Sequence, residues 1–240
     1  MRISRKIGRF ALDRAVLMLL ALLALGLAAR GWVEDHPQHN PFAPLDIAHP
    51  PGWATGIKLA ALREDVEECR AVLERGGIAF DVLPSAGDGQ CARTDRTVLR
   101  GNTIAPASPQ MTCPVAAALH VWLTHSARPA AEDILGSPLV RIEHMGTFNC
   151  RRIGGGESGN WSEHASGNAI DIAAFVLEDG RRISLTRGWD GPEEEQVFLR
   201  TVRDGACASF STVLSPAYNA AHADHFHFDQ APRMIGGVCR

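Results

Sequence analysis

The sequence predicts an α+β protein: an antiparallel sheet flanked by helices, preceded by one helix that enters a membrane. Three observations carry that expectation. A basic segment runs directly into an uninterrupted apolar stretch at the N-terminus. Downstream, runs with helical hydrophobic spacing mix with runs of strand alternation, without the regular strand–helix–strand repeat of a parallel α/β sheet. Residues 168–185, NAIDIAAFVLEDGRRISL, place two strand-like runs around Glu178-Asp179-Gly180, the pattern of a hairpin.

At the N-terminus, Arg2, Arg5, Lys6, Arg9 and Arg14 stand against the single acid Asp13. Residues 15–29, AVLMLLALLALGLAA, follow without a charge and are closed by Arg30. As a helix this run is about 22 Å long, somewhat short of the ~20 residues a full span needs. Arg14 and Arg30 can snorkel, and Trp32 suits the far interface. The pattern fits a secretory signal or an uncut signal anchor, with the anchor favoured and the N-terminus left in the cytoplasm. Residues 1–32 therefore read as a basic cytoplasmic segment plus membrane helix. Residues 33–57, with Pro37, Pro41, Pro44, Pro50 and Pro51, read as an extended tether. Residues 58–240 read as one folded domain.

Within that domain, Leu59, Leu62, Val66, Cys69 and Leu73 recur at helical spacing, which predicts one helix over 58–77 closed by Gly76 and Gly77. Residues 78–83, IAFDVL, predict a short strand, and 84–109 are turn-rich. A helix starts at CPVAAALHVWL (113–123), with Pro114 in its first turn. PLVRIEHM (138–145) predicts a strand leading to the hairpin. GPEEEQVFLRTVRDGAC (191–207) predicts a helix, with Pro192 and three glutamates where acids complement the helix dipole. HFHFD (225–229) closes the chain as a strand.

Composition narrows the partners. A net charge of −3 with 21% charged residues carries no basic excess, which argues against nucleic acid. The six cysteines, Cys69, Cys91, Cys113, Cys150, Cys207 and Cys239, all lie beyond the apolar run and contain no CxxC pair. They predict up to three disulfides in an oxidising compartment, with fifteen pairings open.

The chemistry concentrates in two stretches. SEHASGNAID (162–171) holds His164 and Asp171, seven apart. On one helix they would sit about 10 Å apart along the axis, too far for ligand atoms ~2 Å from one ion. If both bind one metal, His164 is a loop ligand and Asp171 a strand ligand. AHADHFHFD (221–229) contains three of the ten histidines. As a strand it puts His225 and His227 on one face and Phe226 and Phe228 on the other, with His222 and Asp224 on the loop before. Together, His164, Asp171 and His227 make a two-histidine, one-carboxylate set that leaves a fourth zinc position open for water, the mark of a catalytic site. Zinc would bring that water's pKa toward ~7. His225 would then manage the water's proton or that of the leaving amine, and His222 would hydrogen-bond developing charge on the substrate oxygen.

SEHASGNAID resembles the S-x-H-x-x-G-x-A-x-D pattern of the D-Ala-D-Ala metallopeptidases. The closing H-x-H is similar to that of the lysostaphin-type and penicillin-insensitive murein endopeptidases, which share a fold with the hedgehog signalling domain. FNCRR, SEHASGNAIDI, FLRTVRDGAC and YNAAHADHFHFD together look like the extensin-like C-terminal family of proteobacteria, over most of residues 60–239. The resemblance implies a hedgehog/D-Ala-D-Ala-peptidase-like fold and a zinc peptidase acting on peptidoglycan peptides outside the inner membrane. It implies His164, Asp171 and His227 as zinc ligands and His225 as the catalytic histidine. Where related carboxypeptidases carry a basic Glu three residues before the last ligand, this chain has Asp224; His225 or Asp224 serves as base, with His225 favoured. An anion-binding arginine is also implied, Arg151 in preference to Arg152. Trp161 and Tyr218 suit a groove wall or a core, His144 has no assigned role, and GGGESG (154–159) reads as a mobile loop over the site. Rival readings are a zinc module that binds the wall without turnover and a disulfide-stapled envelope protein without metal. The bond cut, endo- or carboxypeptidase action and oligomeric state stay open in the sequence.

Overall fold

A computed structural model describes residues 4–233 and 237–240. Its first element is a helix, α1 (Ser4–Asp35), within which the 23 residues Asp13–Asp35 are long and apolar enough to cross a membrane, with a mean hydropathy of 2.1. Such a length gives about 34 Å, against a hydrocarbon core of ~30 Å. The charged and aromatic residues after the apolar run thus continue the helix and supply the reach that fifteen residues lack.

The stretch expected as a free tether packs onto the domain instead. Leu45 and Ile47 are buried in the main core, and Ile47 O accepts from His125 Nε2 at 3.0 Å. The buried Lys58 ammonium donates to Pro37 O at 2.7 Å, and the Ala54 amide donates to Gln38 O. Helix α2 (Thr55–Ala61) begins before position 58. The segment is not extended either: it folds through a 3-10 turn (Pro37–His39) and further turns. Burying a Leu or Ile side chain is worth about 1.5–3 kcal/mol, so two of them hold the segment down.

The helix expected over 58–77 is also corrected. Helix α2 stops at Ala61, and α3 (Val66–Arg75) starts anew after Asp65, whose carboxylate accepts the Glu68 amide at 2.9 Å. That side chain satisfies an orphan donor at a helix start, and the hydrophobic spacing runs straight across the break. Short strands follow: β1 (Phe80–Val82), β2 (Thr97–Leu99), β3 (Ile104–Ala105) and β4 (Gln110–Met111). Of these, β1, β2 and β4 make a small antiparallel sheet.

Helix α4 (Cys113–Trp122) is the centre of the core, with every residue except His120 buried. It continues through a π-helical turn (Leu123–Ala127) into α5 (Arg128–Leu135). Pro129 has no amide to donate and its ring would crowd the carbonyl of His125, which a widened turn relieves. Next come β5 (Leu139–Gly146), β6 (Ala169–Leu177), β7 (Arg182–Ser184), α6 (Leu185–Gly188), α7 (Glu193–Ala206), β8 (Thr212–Leu214), β9 (Phe226–Asp229) and β10 (Val238–Cys239).

The main sheet has seven strands in the order β10-β8-β9-β6-β5-β3, with β7 paired to β6. Its centre is antiparallel, as expected, but the edge pairs β3–β5 and β10–β8 are parallel. Both edge strands are reached by long connections, which permit a parallel approach where a hairpin cannot. The chain is thus α+β, with helices packed on one face of a mixed sheet. The cysteines form three disulfides: Cys69–Cys113, Cys91–Cys150 and Cys207–Cys239. They are consistent with a location outside the cytoplasm, as is an N-terminal helix suited to a signal or anchor.

Candidate metal centre

The sheet decides which side chains meet. On β6, Ile170 and Ile172 are fully buried, as are Phe226 and Phe228 on β9. The Trp122 ring of α4 packs edge-on to Phe228 at 5.2 Å, and its Nε1 donates to Val202 O at 2.8 Å. With alternate residues locked into that aromatic layer, the residues between them must face the other way. Asp171 and His227 are direct cross-strand partners there. On its other side Asp171 is paired with Gly146 of β5, which adds no side chain to the space.

His164 arrives from a loop, as its spacing required. It lies in a 3-10 turn, Glu163–Ser166, where the Ser162 hydroxyl accepts the His164 amide at 3.3 Å. Gly167 ends the turn at φ 76°, a left-handed conformation that costs glycine little. The chain therefore reverses in time for Asp171 to join β6.

Three ligand atoms converge. His164 Nε2 lies 3.1 Å from both Asp171 Oδ1 and His227 Nδ1, and His227 Nδ1 lies 3.0 Å from Asp171 Oδ1. One proton cannot satisfy all three contacts, and two imidazole nitrogens facing each other at 3.1 Å lack a donor unless one is protonated. A tetrahedral zinc with ~2.0–2.1 Å bonds separates its ligand atoms by about 3.3 Å, so this triangle needs only small adjustment to fit. The donor set, two imidazoles and one carboxylate, is also one that zinc prefers. Among the described residues this is the one group of three or more His, Cys, Asp or Glu side chains so gathered.

The electrostatics fit a cation-shaped gap. Burial would raise the Asp171 pKa, but hydrogen bonds from His164 and His227 outweigh it and hold the carboxyl below its usual range. Burial would lower His227, but Asp171 and Asp229 on either side lift it to about 9. Asp171 thus stays ionised, and a proton on His227 Nδ1 occupies the place a metal would take.

Asp229 was not singled out in the sequence. Its Oδ2 accepts from His227 Nε2 at 3.0 Å and its Oδ1 accepts the Ala231 amide at 2.8 Å. A carboxylate behind a ligating imidazole fixes ring and tautomer, leaving Nδ1 to face the ion. The same alternation that pairs His225 with His227 extends to residue 229, so the signal was present. Behind Asp229, burial raises the Glu163 pKa, while Asn168 Nδ2 donates to Glu163 Oε2 at 2.5 Å.

The remaining expected residues line the mouth. His225 Nδ1 donates to Asp224 Oδ1 at 2.7 Å, and His225 Nε2 stands 3.7 Å from Asp171 Oδ1. The Asp224 carboxylate is therefore turned onto His225 rather than toward the cluster. The His222 ring centroid lies 5.2 Å from that of His225 and 6.0 Å from that of His227. Burial, then the neighbouring His225 and His227 and the Arg151 charge, push His222 down to about 4. Asn219 Oδ1 accepts both the Ala221 amide and His222 Nδ1, so neutral His222 keeps Nε2 as an acceptor. Its expected donation to a substrate oxygen does not match that arrangement.

The two arginines separate cleanly. Arg152 donates to Gly159 O and lies over the Trp161 ring at 4.5 Å, which makes both residues part of the loop's own packing. Exposed Arg151 has no side-chain hydrogen bond or ion pair among the described residues, yet it acts on His222. The Cys91–Cys150 disulfide anchors the backbone immediately before it. His144 is committed to Pro106 O at 2.9 Å, and the half-exposed Tyr218 ring packs edge-on to His222 at 5.6 Å.

Comparison with known proteins adds one match. The family described as "Extensin-like protein C-terminus" matches residues 67–240. No curated protein and no solved structure matches the chain.

Proposed function

We propose, from the premise that the chain belongs to the extensin-like C-terminal family, that it is a zinc-dependent peptidase. It cleaves amide bonds in peptidoglycan peptides on the periplasmic side of the inner membrane, and its domain is a variant of the hedgehog/D-Ala-D-Ala-peptidase fold. The observation that carries the reading is the triangle of His164 Nε2, Asp171 Oδ1 and His227 Nδ1, with edges of 3.0–3.1 Å, next to a histidine that is not a ligand. His164, Asp171 and His227 would hold the metal, and Asp229 would keep His227 in the ligating tautomer. When bound, zinc supplies a Lewis acid for the scissile carbonyl and makes water a nucleophile near neutral pH.

The chain's own residues divide the rest. With Nδ1 donating to Asp224, His225 presents Nε2 as the proton acceptor at the edge of the cluster and returns that proton to the leaving amine. Asp224 positions this ring and fixes its tautomer; it is not itself the base. Arg151 is the cation available for a substrate carboxylate or a developing oxyanion. His222, held neutral, accepts a substrate N–H. Exposed Asp224 and Tyr218 leave the mouth open to a peptide.

Purified protein incubated with muropeptides, with and without chelator, tests the reading. Cleavage should vanish on chelation and return with zinc, and His227→Ala should lose both zinc and activity. Undiminished cleavage in either sample refutes the metal mechanism. Bound zinc and muropeptide affinity without cleavage would instead favour a wall-binding module.

A further inference from the structure

The membrane helix and the folded domain are joined by almost no free chain. Helix α1 ends at Asp35, and Pro37 O is already held by the buried Lys58 ammonium. Two residues of extended chain span at most about 7 Å. Gln38 O is bonded by the Ala54 amide, and the Trp53 amide donates to His39 Nδ1 at 3.1 Å. The exit of α1 is thus stitched to residues 52–58, and the domain has no slack with which to stand off from a bilayer that α1 crosses.

The surface at this exit is aromatic and apolar. The Trp32 ring stacks on His36 at 4.5 Å and lies 5.6 Å from the Trp53 ring, which in turn lies 4.6 Å from His39. Trp53 is nevertheless 76% exposed, Ile57 65% and Phe42 94%. Three large apolar side chains held open on the segment stitched to the end of α1 are costly in water and favourable at a headgroup–acyl boundary, where tryptophan concentrates. Because Trp32 occupies the last turns of the span, a ring 5.6 Å away lies at nearly the same depth.

We propose that residues 36–57 are a collar that lays Phe42, Trp53 and Ile57 into the interfacial zone of the bilayer crossed by α1, so that the domain is seated on the membrane rather than suspended from it. The proposal rests on reading α1 as an uncut anchor. The occupant is phospholipid, and the contact is apolar, because no lysine or arginine lies between residues 36 and 57 to favour anionic headgroups.

The experiment uses the full chain reconstituted into phosphatidylcholine vesicles carrying either a shallow or a deep lipid-borne quencher. The fluorescence of Trp53 and Trp32 is isolated by difference against Trp53→Phe and Trp32→Phe. Both emissions should be lost mainly to the shallow quencher and be shielded from aqueous iodide. Phe42→Trp, made in the Trp53→Phe background, should gain an emission with the same behaviour. If Trp32 is lipid-quenched while Trp53 and the residue at position 42 respond only to iodide, the collar is refuted and the anchor stands. Trp53 shielded from both quenchers would mean that protein covers the patch, which also refutes the collar. If Trp32 too is untouched by lipid quenchers, the anchor reading fails and the collar with it.

Discussion

At the proposed zinc site, replacing one carboxylate oxygen outside the ligand set should weaken zinc binding by one to two orders of magnitude. Asp229 accepts from His227 Nε2 at 3.0 Å and from the Ala231 amide at 2.8 Å, and it is almost wholly buried. Asp229→Asn keeps the size and one oxygen. That oxygen stays with the Ala231 amide, which places the new NH2 group against His227 Nε2. The imidazole must then accept at Nε2 and carry its proton on Nδ1, the atom that faces Asp171 and the ion. Binding requires reversing that tautomer and stranding a buried donor, a loss of about 1.5–3 kcal/mol when the original bond is to a charged group. Loss of such outer hydrogen bonds typically costs 10–100-fold in metal affinity, equivalent to about 1.4–2.7 kcal/mol, and the two routes agree. Competition with a fluorescent zinc chelator at neutral pH measures the affinity, and the apo melting temperature shows whether the fold survives. A zinc affinity indistinguishable from wild type, with the fold intact, would refute the assignment of Nδ1 as the ligand atom.

Other outcomes follow from the same geometry. Ile47→Ala should lower stability by about 2–5 kcal/mol in urea unfolding, since Ile47 is 2% exposed in the core; an unpacked tether predicts no change. Arg151→Ala should leave zinc affinity intact and reduce muropeptide turnover by about 10²–10³-fold, as removal of a charge-stabilising donor does, whereas Arg152→Ala should act on loop stability through Trp161. Burial, then Arg128 and His125, lower the pKa of His120 below its ordinary 6.5. The unfolded chain then takes up this proton first as pH falls through 6.5, so its contribution is full above that value and is lost in acid. Thermal melts at pH 7.5 and 5.0 should show a larger drop for wild type than for His120→Gln, and equal drops would refute this.

How much of this was legible depended on the length of the physical signal. His164, Asp171 and His227 were readable because two constraints apply to them together: metal ligands need close atoms, and strand alternation sorts residues by parity. Phe226 and Phe228 reinforced the parity by demanding the core. Asp229 obeyed the same parity and went unassigned because it bonds to His227 rather than joining the three-atom cluster. The two helices α2 and α3 read as one because Leu62 and Val66 preserve the period across the break, and only the Asp65 cap marks it. Strands β2, β3 and β4 have two or three residues each, too few for any period to register. The proline-rich segment was expected to be extended and free, and it is neither: a 3-10 turn (Pro37–His39) and further turns carry it onto the domain. Whether Ile47 finds a slot depends on the end of α3 at Gly76 and on His125, which lie about 30 and 80 residues further along the chain.

On the proposed reading the most informative position is 224, where the carboxypeptidases that the sequence motif resembles carry a longer acid. A glutamate has the reach to act on water beside the metal. Aspartate, one methylene shorter, instead turns back 2.7 Å from His225 Nδ1. On that reading the imidazole restores the reach the acid loses, because His225 places its far nitrogen 3.7 Å from Asp171 Oδ1. On the proposed mechanism Asp224 and His225 are then partners rather than alternatives, since the carboxylate sets the tautomer of the ring that would move the proton. The same device recurs two residues on, where Asp229 sets His227. One strand and its leading loop thus repeat a carboxylate–imidazole pair in two environments. The more buried Asp229–His227 pair faces the candidate metal position, and the Asp224–His225 pair, its acid half-exposed, stands where the proposed mechanism needs a group that exchanges protons with solvent.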